Sequence, residues 1–367
     1  MLTRMHDAAP TLSAEAARFI RDRADGADRG EHDLVAELDA LAACGLGTAV
    51  LPAAEGGLDF GADHHSILDV CDTLRAVGRA SLSVGRLFEG HVNAAKLVSL
   101  YGTADQVRAM GEAVRGGAWL GVWGADGQPP TAIEGDRLSG TKRFASGLGH
   151  ISRAVVSIHT PEGLRLCLAD VSDPKRADAS TWRVGGMRAT ASGTFSFDGL
   201  PFEPLGAVGD YVREPYFEGG VWRYSAVHLG GAEALHDEMV ALLTRMKREA
   251  DPYQAHRIAG CAIALDTARM WIERAALRVE GDAERDVPDP QGAAAVALLA
   301  REVTERSCLE VLHTVEKALG TIAHSADLSI ERIRRDLGLF LRQANPDGKL
   351  TGAAAALVAR GGRADAL

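Results

Sequence analysis

The sequence predicts a mainly helical protein interrupted once by a small central β-domain. Three observations predict it. Ala, Leu, Arg and Glu are abundant, whereas aromatics make up 5% of the 367 residues, a bias toward helix. Near Gly116 the apolar spacing changes from steps of three and four to short runs rich in Gly, Thr, Val and Phe. Near Val212 it changes back. These switches divide the chain into residues 1–116, 117–212 and 213–367, and a 46% hydrophobic content can fill a core of that size.

In the first unit, Leu34, Val35, Leu38 and Leu41 form an apolar helix face ending at Gly45, a residue suited to a left-handed cap. Ile67, Cys71, Leu74 and Val77 repeat the pattern. Val84, Leu87, His91, Ala95 and Val98 mark a third helix that stops at Gly102, after which Thr103 and Gln106 have the spacing of a capping box. In the second unit strands are expected at 118–123, 137–145, 153–159, 164–170 and 193–197. Strands so short and close suggest a barrel or a sandwich.

In the third unit helix resumes at Gly220 and continues to Val358. Asp251, Pro252 and Gln254 form a helix start, with an acidic cap, proline at the first position and glutamine at the third. Ile258, Ala262, Leu265, Ile272 and Val279 then keep a near-heptad rhythm, that of a helix packed antiparallel in a bundle. A further long helix is expected over 293–319.

The formal charge of -10 and the lack of a Lys/Arg cluster argue against a nucleic-acid partner. Around Glu331 to Arg335 the arginines alternate with acids, as on a solvated or interface face. Five scattered cysteines without a CxxC indicate neither disulfides nor a zinc site. His64 and His65 are neighbours, so on a helix they point about 100° apart and suit no shared metal. Asp7 and the absence of a long apolar run near the N-terminus argue against a leader, and the apolar stretch 293–300 is too short to span a bilayer. A reducing cytoplasm is the expected location. Gly45-Leu-Gly47 lacks a closing glycine and follows a helix, so it is read as a cap, and no Walker A, HExxH or GxSxG sequence occurs.

Several stretches resemble the acyl-CoA dehydrogenase superfamily, in the order that family has them. They are Leu41-Ala-Ala-Cys-Gly-Leu-Gly with Leu51-Pro and Glu55-Gly-Gly, then Gly102-Thr-Ala-Asp-Gln-Val and Ser139-Gly-Thr-Lys-Arg-Phe-Ala-Ser146. Gly186-Met-Arg-Ala-Thr-Ala-Ser192, Phe197-Asp-Gly-Leu-Pro201 and Glu331 to Asp336 follow. The resemblance implies an N-terminal helical domain, a small β-barrel and a C-terminal four-helix bundle. It also implies FAD held noncovalently, an acyl thioester on CoA or a carrier protein as substrate, an electron-transfer or reductase partner, and a homodimer or homotetramer. Carried over by position, Trp123 and Gly124 lie beside the isoalloxazine, with Phe144, Ala145 and Ser146 at its other contacts. Phe144 is alternatively a barrel core residue. Gly320 and Thr321 resemble the turn near the adenine end, and Gly320 equally caps the preceding helix.

Two departures from the family pattern matter. The family removes a proton alpha to the thioester with a glutamate, yet the expected positions carry Ala344 and Trp222. Asp347 and Glu218 are the nearby acids, read also as a turn carboxylate and a helix-entry residue. The Arg-x-x-Phe-Gly segment before Asp251 is absent as well. Arg245, Lys247 and Arg248 are the charges nearest that place, and the flavin loop reads Gly121-Val-Trp-Gly-Ala-Asp-Gly-Gln.

Three readings follow. The first is an FAD-dependent oxidoreductase acting on an acyl thioester by hydride transfer. The second is a flavin-dependent monooxygenase of the same fold, fed reduced flavin by a reductase, with His150, His228 or His324 as hydrogen-bond donor. The third is a catalytically degenerate binding or assembly subunit.

Overall fold

The computed structural model describes residues 10–61, 66–281, 289–363 and 366; Asp7, His64 and His65 lie outside them. Helices come first: α1 Ala14–Arg29, α2 Val35–Ala43, α3 Leu46–Ala49, α4 Ile67–Ala80, α5 Leu82–Tyr101 and α6 Ala104–Arg115. Strands follow: β1 Trp119–Trp123, β2 Ala132–Glu134, β3 Arg137–Ser139, β4 Thr141–Lys142, β5 Ile151–Thr160, β6 Gly163–Asp170, β7 Ala177–Asp178, β8 Thr194–Ser196, β9 Leu200–Pro201 and β10 Glu203–Leu205. Helices close the chain: α7 Trp222–Arg245, α8 Pro252–Glu280, α9 Pro290–Leu319, α10 Ser329–Phe340 and α11 Pro346–Ala359. The protein is mainly helical with a central sheet region, as its composition predicts.

The strands form three small sheets, ordered β1-β5-β6-β10, β2-β3-β9 and β4-β8-β7. β1 runs parallel to β5, and β5 pairs antiparallel with β6 over eight residues. The strand expected over 137–145 is broken. Gly140 has φ 79°, and a Cβ there would stand 2.1 Å from Pro130 O, so the chain turns at a glycine and β3 and β4 join different sheets.

Local signals hold in most helices. Gly45 takes φ 76°, and Thr103 and Gln106 complete both bonds of their capping box. Val35, by contrast, is 48% exposed, so the buried face of α2 is Leu34, Leu38 and Leu41. Asp251 caps α8 by accepting from Tyr253 N and Gln254 N. Gln254 does not reach back to the cap; it is buried and donates to Ala318 O at 3.2 Å, tying α8 to the end of α9. Ala262 is exposed, and the buried stripe of α8 runs through Cys261, Leu265, Ala268, Ile272 and Val279.

One apolar core runs through the helical and strand regions. α7 is pressed against α4 because glycines meet there: a Cβ on Gly230 would stand 2.0 Å from Arg75 O, and one on Gly78 2.5 Å from Val227 O. α3 is tied to β1 by His91, whose Nε2 bonds Gly47 O at 2.8 Å while its Nδ1 accepts from Leu120 N at 3.1 Å. Burial pushes this imidazole down to about 4, so it is neutral. Among the described residues no helix is long and apolar enough to cross a membrane, and no cluster of His, Cys, Asp and Glu could hold a metal.

Candidate functional site

β1 ends at Trp123 and β4 at Lys142, and the loops that leave them, through Gly124 and through Phe144, lie side by side. Lys142 joins them. Its fully buried ammonium donates to Asp126 Oδ1 at 2.6 Å, Gly124 O at 3.1 Å and Ser157 O at 2.5 Å. Burial lowers its pKa and Asp126 opposes that shift. Trp123 Nε1 donates to Ser146 O at 3.1 Å. Behind Ser146 a hydroxyl chain passes through Ser192 at 3.0 Å to Thr190 at 2.8 Å, and Thr190 donates to Met187 O. Met187 N in turn donates to Asp336 on α10, a buried carboxyl pushed up to about 6 by desolvation.

Trp123 and Ser146 share a narrow cleft with Arg86, Leu87 and Gly90 of α5. At its rim Phe144 is 54% exposed with φ 55°, a conformation rare outside glycine. The barrel-core alternative for this residue is thereby excluded. Its ring meets Trp182 edge-on at 6.0 Å and carries the Arg143 guanidinium at 4.9 Å. Ala145 is buried beneath, its N–H donating to Gly193 O. A second groove, of about 210 Å³, lies between α5, α6 and the β1-β5-β6 sheet; Leu120 lines both spaces.

A second set of buried polar groups, here called the helical wall, is carried by α7, α9 and the segment after α10, within electrostatic reach of Arg86, which lines the cleft. Trp222, an expected base position, turns into the core, where its Nε1 donates to Glu280 Oε1 at 3.0 Å beside Arg223 and Lys96. Burial opposes charge on Glu280, yet Lys96 and Arg223 together hold it below the usual carboxylate range. Two residues further on, the Tyr224 hydroxyl is buried beside Arg301 and near Glu89 and Glu218, without a hydrogen bond of good geometry. One turn on, the His228 ring lies 5.4 Å from that of Tyr224 and meets Phe340 edge-on at 4.4 Å. Burial, reinforced by Arg301, Arg86 and Arg342, pushes His228 down to about 3. It is neutral, and its Nε2 has no partner. Arg301 donates to Leu341 O at 2.7 Å and pairs with Glu305, which also takes Arg342, while Arg301 Nε is unpartnered.

The remaining predicted residues fall as follows. Ala344 is exposed at φ 61°, and Asp347 is exposed in the first turn of α11, which Asn345 caps. Glu218 is ion-paired with Lys349, so the segment before α7 meets the start of α11. His150 lies within electrostatic reach of Asp33 and Glu37 near α2, and His324 is exposed and bonded to Arg334. Gly320 caps α9 at φ 60°, and the turn holding Thr321 packs against α9 and α10, not against the strands. Arg245, Lys247 and Arg248 are exposed at the end of α7. The 331–336 segment is an interface: Arg335 and Arg188 share the buried Asp28 of α1, and a Cβ on Gly186 would stand 2.2 Å from Arg335 O.

Residues 223–340 match the model of the acyl-CoA dehydrogenase C-terminal domain. A butyryl-CoA dehydrogenase from Megasphaera elsdenii superimposes with a TM-score of 0.78 at 17% identity, covering 94% of this chain and 96% of that one. The chain has the acyl-CoA dehydrogenase fold. Within that fold, TdsC from Paenibacillus sp. A11-2, a structure with FMN and indole, superimposes with a TM-score of 0.79 at 24% identity over 95% of this chain and 96% of that one. Dibenzothiophene monooxygenase of Rhodococcus erythropolis is 27% identical over 233 residues, 57% of this chain. The chain spans about half of that relative, 55% of its length. A probable FMNH2-dependent monooxygenase, SfnC of Pseudomonas putida, is 24% identical over 88% of this chain and 87% of its own.

Three residues of the candidate site, Arg301, Tyr224 and Lys142, escape sequence reasoning, whereas His228 was among the expected donors. Arg301 stands just after the apolar run 293–300, a charge where the pattern calls for burial, and that is its signal. Tyr224 and His228 are spaced i, i+4, which places them on one face, but nothing local says that this face meets the cleft while Trp222 does not. Lys142 reads as a strand residue, and only the fold shows its three acceptors.

Proposed function

We propose that this protein is a flavin-dependent monooxygenase, the second of the readings above, supplied with reduced flavin by a partner reductase. One observation carries it: the helical wall holds a tyrosine hydroxyl, a neutral imidazole and a guanidinium edge with unused hydrogen-bonding capacity, while the two acids nearest the expected base positions stand elsewhere, Glu218 ion-paired with Lys349 and Asp347 exposed. Thioester desaturation needs a positioned base, whereas oxygen transfer needs hydrogen bonds at the reacting centre and exclusion of water. The names of the relatives support the same reading.

The strand wall suits the ring of a flavin. Phe144 offers an exposed aromatic face, Gly124 lacks a side chain next to it, and Ser146 supplies a hydroxyl at the cleft. Bound reduced flavin would supply activation of dioxygen and delivery of one oxygen atom. Lys142 keeps the 124–126 loop in place, Tyr224 Oη–H donates toward the reacting centre, and His228 Nε2, neutral throughout the physiological range, accepts. The paired helices α7 and α10 keep water out. The FMN-bound relative and the FMNH2-dependent one favour FMN over the FAD that the family pattern implies.

The test reduces FMN anaerobically, mixes it with the protein and then with oxygenated buffer containing candidate sulfur and nitrogen heterocycles, and follows oxygenated product. Product from the wild type, reduced roughly 100-fold in Tyr224→Phe with flavin binding retained, is expected. Bleaching of bound FAD by an acyl-CoA or acyl-carrier-protein thioester, without oxygenated product, returns the protein to the dehydrogenase reading. Protein that takes up neither flavin is the assembly subunit.

A further inference from the structure

Three hydroxyls stand in line on the strand side of the cleft, and their protons do not suffice for the contacts as these are oriented. Ser192 Oγ donates to Ser146 Oγ at 3.0 Å, and Thr190 Oγ1 donates to Met187 O at 2.7 Å. Across the 2.8 Å contact between Ser192 and Thr190 either oxygen can donate, yet each hydroxyl has a single proton and both are already given away. Both side chains are buried.

Two arrangements resolve the count. In the inward one Ser146 donates to Ser192, Ser192 to Thr190 and Thr190 to Met187 O, which leaves Ser146 a lone pair for the cleft that it lines. In the outward one Thr190 donates to Ser192 and Ser192 to Ser146, whose own proton is then free for the cleft. Met187 O tolerates the loss of the Thr190 hydroxyl, because Trp182 Nε1 donates to it at 2.9 Å and Thr190 N at 3.3 Å. The two polarities interconvert by rotation of O–H bonds, and in each the chain stays connected from end to end.

A ligand edge that accepts a hydrogen bond in one state and donates one in another would drive such a reversal. A flavin ring does this, since on reduction a ring nitrogen gains a proton and turns from acceptor to donor. We propose that Thr190 and Ser192 are positioning residues that let Ser146 donate to oxidised flavin and accept from reduced flavin, by reversing the direction of one hydroxyl chain. The inference rests on the flavin reading, but not on which oxygenated product is formed.

Shortening the chain strands a proton in the inward polarity and only a lone pair in the outward one, and a buried donor without a partner is the costlier of the two. Thr190→Val and Ser192→Ala should therefore weaken the binding of reduced FMN about fivefold or more relative to oxidised FMN, and Thr190→Ser should restore the wild-type ratio. Anaerobic titration of the full chain with each form of FMN, followed by quenching of tryptophan fluorescence, gives the two dissociation constants, with circular dichroism confirming that each variant is folded. Equal weakening of both forms, the mark of a merely structural role, or an unchanged ratio overturns this inference and leaves the flavin reading standing. A wild type that binds neither form overturns both.

Discussion

The strand side of the cleft and the helical wall near Arg86 differ in how completely their polar groups are paired. On the strand side Lys142 has three acceptors, Trp123 Nε1 has Ser146 O, and the Ser146 hydroxyl continues into Ser192 and Thr190. On the helical side Tyr224 Oη, His228 Nε2 and Arg301 Nε are buried with nothing to bond. Burying a polar group without a partner costs free energy, so a completed network maintains shape and an incomplete one awaits a ligand or water. The strand wall has the character of scaffold, and the helical wall holds the groups that the proposed chemistry would use.

The contrast breaks most sharply at Lys142. Lys142→Met leaves Asp126, Gly124 O and Ser157 O without their donor and is expected to cost about 3 kcal/mol in urea unfolding. A loss below about 1 kcal/mol would mean the strand wall does not depend on that cation.

The next effect is a pH dependence with a worked sign. His91 and His228 are held neutral in the folded state at about 4 and about 3, below the ordinary value near 6.5. The unfolded chain therefore binds more protons, and stability present above pH 6.5 is lost as pH falls toward the folded values. Each histidine contributes about 1.4 kcal/mol per pH unit in that window. Asp336, raised to about 6 by burial against the pull of Arg332, has the opposite sign and gains stability as pH falls below 6. Urea midpoints of His91→Gln from pH 7 to 5 isolate one contribution: its slope should be shallower than the wild type's by that amount, and an identical slope would show His91 protonates as readily when folded.

Glu218→Gln removes a partly buried pair with Lys349 but keeps a hydrogen-bonding amide there, and should cost about 1 kcal/mol, with turnover unchanged. A large loss of turnover there would restore Glu218 as a base and undo the contrast. Smallest of all in stability is Tyr224→Phe, expected within about 0.5 kcal/mol of wild type because its hydroxyl makes no well-formed hydrogen bond, only a contact with Arg301. The same variant has the largest expected effect on oxygen transfer, and that split between stability and activity is the sharpest form of the comparison.

Much of the fold was legible along the chain. The steps of three and four in α4 and α5, the Thr103–Gln106 box and the Asp251-Pro252 start are local devices, set by bonds within one turn of helix. The break at Gly140 was not, because it depends on Pro130 O passing 2.1 Å from where a Cβ would be. The candidate site was legible on one wall only. Trp123 ends β1 and Ser146 follows β4, positions that a motif locates, whereas Trp222 and Tyr224 are two residues apart on one helix and point to different neighbours.

Periodicity, caps and composition decided, from the sequence by itself, that helices, then strands, then helices would form, because those features act over a few bonds and steric preferences at that range are strong. By resemblance, the sequence also set alanine and tryptophan at the positions where a base is expected. Only the tertiary structure decided that Trp222 turns to Glu280 while Tyr224, His228 and Arg301 converge with hydrogen-bonding groups to spare. A side chain's partner lies across the fold, up to hundreds of residues away in the chain, and no local preference encodes that meeting.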